Sequence, residues 1–368
     1  MPLTRRSLLA AGLAVPLATA AGASRVTAAP VRLTLPAPTG PHPVGTVSLH
    51  LADRSTMASV WYPATPGARH YPRTPWMPAA PLRALLEDNG FDPDVAAGPL
   101  TSGRDGAPVR PGRYPVILFS HGANGHRSEA TVVAQELVSH GYVVATVDHP
   151  HDAYVEFPDG RLAVPDDEST TPWTHADDIL FVLDRLEKIA AGRNPGHLPL
   201  PAGLAAALDL RHVGVYGFSK GATAAALVMN VDSRVRAGLS FDGPMESGPR
   251  PAALDRPFML MTADFNRVDA PPVEEFWQLL RGWRLNVQAE GARHGAYCDH
   301  QSLIPQLARL MGWTDEELEG WIGTLDPARA TRIQQAYPLA FFDRHLRGIR
   351  SRLLDGPSRA FPEVRYLP

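Results

Sequence analysis

One cysteine occurs in 368 residues. A lone thiol, Cys298, excludes an internal disulfide and cannot assemble a zinc site by itself. A strong charge of one sign is lacking too. The formal net charge is −3, without the basic footprint that nucleic-acid binding needs. Past the N-terminal segment, no run reaches the roughly 18 uninterrupted apolar residues of a membrane-spanning helix. Internal repeats are absent, as is any linker that would split the chain. What remains is an ordinary globular composition, with mean hydropathy −0.14 and a hydrophobic share of 44%. Such a chain is long enough for one large α/β domain.

The N-terminus reads as a targeting segment. Thr4-Arg5-Arg6-Ser7 precedes an apolar stretch from Leu8 to about Ala20, and small residues then offer A-x-A cleavage options up to Ala29. Paired arginines before a short apolar core suggest a twin-arginine export signal over 1–29. The expected mature protein is then 30–368, one domain outside the cell.

Val44–Leu51 and Thr56–Tyr62 alternate like two strands of a hairpin. A Pro- and Gly-rich stretch, 63–112, follows with one helical run at Pro81–Asn89. Its length suggests an insertion that acts as a lid or rim. A continuous apolar run then predicts a buried strand at Tyr114–Phe119, Tyr142–Asp148 reads as a second, and His212–Gly217, Val235–Phe241, Pro257–Thr262 and Trp283–Ala289 read as four more strands. Helical spacing falls between them at Ser128–His140, Thr174–Ile189 (with Thr174 as N-cap), Gly221–Met229 and Val273–Gly282, and the remainder reads as mostly helical. This alternation predicts an α/β fold with a mostly parallel central sheet and helices on both faces.

Gly217-Phe218-Ser219-Lys220-Gly221 matches G-x-S-x-G. The pentapeptide alone is weak, but it ends a buried strand and opens an Ala-rich helix, the setting of a nucleophile elbow. Ser120-His121-Gly122-Ala123-Asn124-Gly125 follows the first buried strand. In such an arrangement the N–H groups of Ala123 and Lys220 would hold an oxyanion. His121 reads as a structural loop residue. Downstream of Ser219 stand three histidines. His294 follows the last predicted strand and is the preferred base. His300 is the second choice, and His345 reads as solvated surface. Two strand-end aspartates, Asp242 and Asp264, are candidates for the acid, and spacing does not choose between them. Cys298 reads as a buried free thiol. Asp148-His149-Pro150-His151-Asp152 carries ligand-type residues, but five adjacent positions rarely surround a metal, so it reads as a loop. Trp76, Met77, Tyr154 and Trp173 are candidates either for lining a substrate pocket or for core.

Phe119-Ser120-His121-Gly122, the helix after it, and Ser139-His140-Gly141-Tyr142 through Asp148-His149 resemble the platelet-activating factor acetylhydrolase family. The resemblance runs through about 114–300. It implies an α/β-hydrolase fold and cleavage of short acyl esters, such as the sn-2 acetyl group of phospholipids, without cofactor or metal. It also implies Asp242 as the acid, 23 residues beyond Ser219. Expected partners are small-molecule or lipid esters, with transient contact to a lipid surface. Two departures concern substrate identity. Phe218 stands where that family often has His, and Lys220 where an apolar residue is usual. The lysine reads as tied to a nearby carboxylate rather than as an anion-binding group.

Overall fold

A computed structural model describes residues 30–368 apart from positions 167, 197 and 266; the twin-arginine segment lies outside the described residues. Thirteen strands are described. They are β1 (Val44–Leu51), β2 (Thr56–Pro63), β3 (Arg73–Pro75), β4 (Leu100–Asp105), β5 (Tyr114–Ser120), β6 (Val143–Val147), β7 (Val155–Glu156), β8 (Leu162–Ala163), β9 (Leu208–Phe218), β10 (Val235–Phe241), β11 (Phe258–Thr262), β12 (Arg284–Ala289) and β13 (Val364–Leu367). The helices are α1 (Ala79–Asp88), α2 (Thr131–Ser139), α3 (Pro172–Ala190), α4 (Leu204–Ala207), α5 (Lys220–Val231), α6 (Pro271–Leu279), α7 (His300–Met311), α8 (Asp315–Ile322) and α9 (Pro327–Leu346).

Eleven strands form one sheet in the order β13-β12-β11-β10-β9-β5-β6-β2-β1-β4-β3. From β6 to β12 all neighbours are parallel. The apolar runs that looked continuous in sequence divide by the pleat. Val116 and Leu118 of β5 face a core shared with α3, α5 and α6. Ile117 and Phe119 face the opposite core, shared with α2 and α9. Strands covered on both faces carry mostly apolar side chains on each, which is why no alternation marks them.

Two predictions change in detail. Thr171, not Thr174, caps α3; Thr174 is the third helical residue and completes a capping box by hydrogen-bonding back to Thr171 N. The stretch 63–112 is no structureless insertion. It carries β3, α1 and β4, and β4 pairs parallel with β1 to widen the sheet. Leu82 and Leu86 of α1 pack with Leu303, Ile304 and Leu307 of α7. The C-terminal region is mostly helical as expected, and ends in β13, which closes the sheet antiparallel to β12.

Because β5, β6, β9, β10, β11 and β12 run the same way, their C-terminal ends share one edge of the sheet. The loops that start at His121, Asp148, Ser219, Asp242 and Ala263 all emerge there, as does the segment that leads to His294. That edge is where α/β sheets assemble ligand sites.

Candidate active site

Ser219 occupies the single position between β9 and α5, with φ 53° and ψ −120°. Such a backbone is costly for a residue with a Cβ, and it projects the side chain out of the turn. Crowding explains the flanking glycines. A Cβ on Gly217 would lie 2.1 Å from Gly221 O, and one on Gly221 would lie 2.2 Å from Ser120 O. Behind the turn, Ala222, Ala224, Ala225 and Ala226 are fully buried and bring α5 close to the sheet.

Asp242 ends β10, also at positive φ (49°). Its Oδ1 accepts the Ala263 N–H at 2.7 Å, and its Oδ2 lies 2.5 Å from His294 Nδ1. With Asp242 buried and taking the Nδ1–H, the lone pair of His294 is left on Nε2. His294 begins a 3-10 turn after β12, and its side chain is 52% exposed. Its ring packs 4.6 Å from that of Phe218, the residue before the serine. Asp264 is exposed and has no histidine partner among the described residues. His300 is on α7 as expected, where burial pulls its pKa down to about 4. His345 corrects its prediction. It packs at 4.4 Å from Trp283 and 5.0 Å from Phe341, with Nε2 buried and its pKa lowered by desolvation to about 4.

The Ser120–Gly125 loop crosses the elbow closely enough that a Cβ on Gly122 would sit 3.3 Å from Ser219 Cβ. Its amides are not equivalent. Gly122 N donates to Glu129 Oε2 and Asn124 N to Asp152 Oδ1, each at 2.8 Å. The Ala123 N–H between them has no partner among the described residues. Burial raises Glu129 to about 7. Asp299 links the neighbouring pieces. It accepts the Thr131 and Val132 N–H groups at the start of α2 and the Trp76 indole N–H at 2.8 Å.

The family described as "Platelet-activating factor acetylhydrolase, isoform II" matches residues 27–156. A probable 1-alkyl-2-acetylglycerophosphocholine esterase of the fungus Arthroderma benhamiae is 26% identical over 69% of this chain, and the match spans 66% of the fungal protein. The platelet-activating factor acetylhydrolase of Cavia porcellus is 23% identical over 77% of this chain and 74% of its own. The solved ferulic acid esterase of Streptomyces cinnamoneus is 33% identical, with TM-score 0.74, over 92% of this chain and 99% of that one. The chain is similar to platelet-activating factor acetylhydrolases over these matches, and with the esterase structure they support a carboxylic ester hydrolase of the α/β-hydrolase type.

In this acetylhydrolase-like chain, Lys220 Nζ lies 2.6 Å from Asp152 Oδ2 and 2.8 Å from Thr170 Oγ1. The Asp148–Asp152 segment spends its side chains on separate partners. Asp148 binds Arg127. His149 bridges Ser120 Oγ (2.8 Å) and Asp178 (3.0 Å), and the exposed His151 pairs with Asp166. His121 is buried, with Nδ1 donating to Gly122 O and Nε2 accepting the His149 N–H. Glu129, Cys298 and His300 place ligand-type atoms within 4.8 Å of one another. Glu129 is engaged by Gly122, and burial holds the Cys298 thiol well above its ordinary pKa. Trp76, Met77 and Tyr154 are core with α7, Trp76 also lining a cavity beside Arg73, Arg127 and Ser128, and Trp173 donates to Pro249 O.

Glu129, His175 and Asp178 went unnoticed in sequence. The legible signal for the last two was two polar residues on the apolar stripe of α3, beside Ile179 and Val182. Glu129 carries no such mark.

Proposed function

We propose that this acetylhydrolase-like protein is an exported serine esterase that cleaves short-chain carboxylic esters through an acyl-enzyme on Ser219. His294 Nε2 takes the Ser219 hydroxyl proton as Oγ attacks the ester carbonyl. Asp242 holds the Nδ1–H and stabilises the imidazolium that forms. The Ala123 and Lys220 N–H groups receive the oxyanion. His294 then protonates the departing alcohol and activates water against the acyl-enzyme. The 2.5 Å contact between His294 Nδ1 and Asp242 Oδ2, beside the strained serine turn, carries this reading.

The names of the relatives favour an sn-2 acetyl phospholipid. The likeness to a ferulic acid esterase supports a second reading, a hydroxycinnamoyl ester. Turnover of an acetyl phospholipid, methyl ferulate, an aryl acetate and a long-chain ester should be compared, using protein recovered from the medium of a Tat-competent host and sequenced at its N-terminus. The expected order puts the acetyl phospholipid first. Ser219→Ala should abolish turnover and fluorophosphonate labelling with an unchanged melting temperature. Residual activity near that of the native protein would refute the assignment, and an unprocessed cytosolic chain would refute export.

A further inference from the structure

An oxyanion site made of two backbone N–H groups works only if their separation is held to within a few tenths of an ångström. Here the two donors belong to different elements. Ala123 lies on the loop after β5 and Lys220 opens α5. One buried side chain reaches both. Asp152, in the loop after β6 and 3% exposed at its side chain, takes the Asn124 N–H on Oδ1 at 2.8 Å. Its Oδ2 takes the Lys220 ammonium at 2.6 Å. His175 Nε2 donates to the same oxygen at 2.8 Å, and Thr170 Oγ1 holds the ammonium from the other side at 2.8 Å. Asn124 and Ser219 both stand at positive φ (55° and 53°), so the segments joined are the two that would relax if released.

We propose that Asp152 and the Lys220 ammonium are positioning residues, a charge-assisted clamp that sets the spacing between the two oxyanion donors. The ammonium is committed to Asp152 and Thr170, so it spaces backbone rather than binding an anionic part of the substrate. This inference rests on the oxyanion reading above.

Lys220→Met keeps the backbone N–H and removes the clamp. On an aryl acetate, kcat should fall about tenfold, as a donor displaced by a fraction of an ångström would give, with KM within twofold. Affinity for an aryl boronate, which forms a tetrahedral adduct with serine, should fall in parallel with kcat/KM. Asp152→Asn should move the same parameters the same way. Lys220→Cys alkylated with 2-bromoethylamine restores an ammonium and should recover kcat; the native Cys298 is fully buried and spared. An unchanged kcat in Lys220→Met, or a raised KM at unchanged kcat, would overturn the clamp. If Asp152→Asn fails to fold, Lys220→Met and its alkylated rescue decide. Should the native protein itself resist fluorophosphonate labelling, the reading of the site fails, and the clamp with it.

Discussion

At the scale of single residues, the site depends on a choice between two aspartates that end adjacent strands. Asp242 is buried with both oxygens engaged, and Asp264 is exposed. The expected consequence is asymmetric. Asp242→Asn should lower kcat by about 10³–10⁴-fold, because an amide favours the wrong imidazole tautomer. Asp264→Asn should stay within twofold. Initial rates on an aryl acetate check both, and equal losses would sink the assignment of the acid. The proposed oxyanion loop has a similar logic, since Glu129 and Asp152 occupy the amides on either side of Ala123 and leave its N–H without a partner among the described residues. Nothing in the order of residues announced Glu129, which follows the polar run His126-Arg127-Ser128 and acts across seven positions.

At the scale of elements, the strand runs were legible because burial on both faces favours apolar residues at most positions. Element ends were less so, as α3 shows. Thr171 and Thr174 are both N-cap residue types, and Pro172 between them fits the first helical turn. Only the reciprocal hydrogen bonds decide that the helix begins three residues earlier. Thr171→Ala should cost about 1 kcal/mol in urea unfolding. Thr174→Ala should cost less, because it leaves the Thr171 side chain in place, and the reverse order would contradict the capping box. The strand β13 was missed for a related reason. Four residues give no periodicity, and their place beside β12 depends on the whole sheet.

At the scale of the molecule, burial has titration consequences. Desolvation lowers His121, His300 and His345 to about 4 and His175 to about 3. His126 and His149 lie well below the ordinary value for the same reason. For these groups the unfolded chain binds more protons than the native one at any pH from about 6.5 down to the folded value. Stability is therefore lost as the pH falls through that window. Glu129 and Asp299, raised to about 7, and Asp178, raised to about 6, act oppositely and lose stability as the pH rises. Six histidines outweigh three carboxyls, so the melting temperature should drop between pH 6.5 and 4.5. His345→Phe should reduce that drop, since it replaces a half-buried imidazole whose Nε2 is buried without a partner among the described residues. A flat profile across this range would contradict the balance.

The sequence by itself determined the alternation of buried strands and helices, the elbow at Ser219, the loop at Ser120–Gly125 and the short field of histidines and aspartates. These depend on local pattern, namely apolar runs, small residues at a tight turn, and polar residues that end strands. Tertiary structure alone decided that Asp242 meets His294 across 52 positions and that Asp152 meets Lys220 across 68. It also decided that His345 lies against Trp283. Such partners are chosen by strand order and by what each side chain is buried against, and neither quantity exists until the sheet has formed.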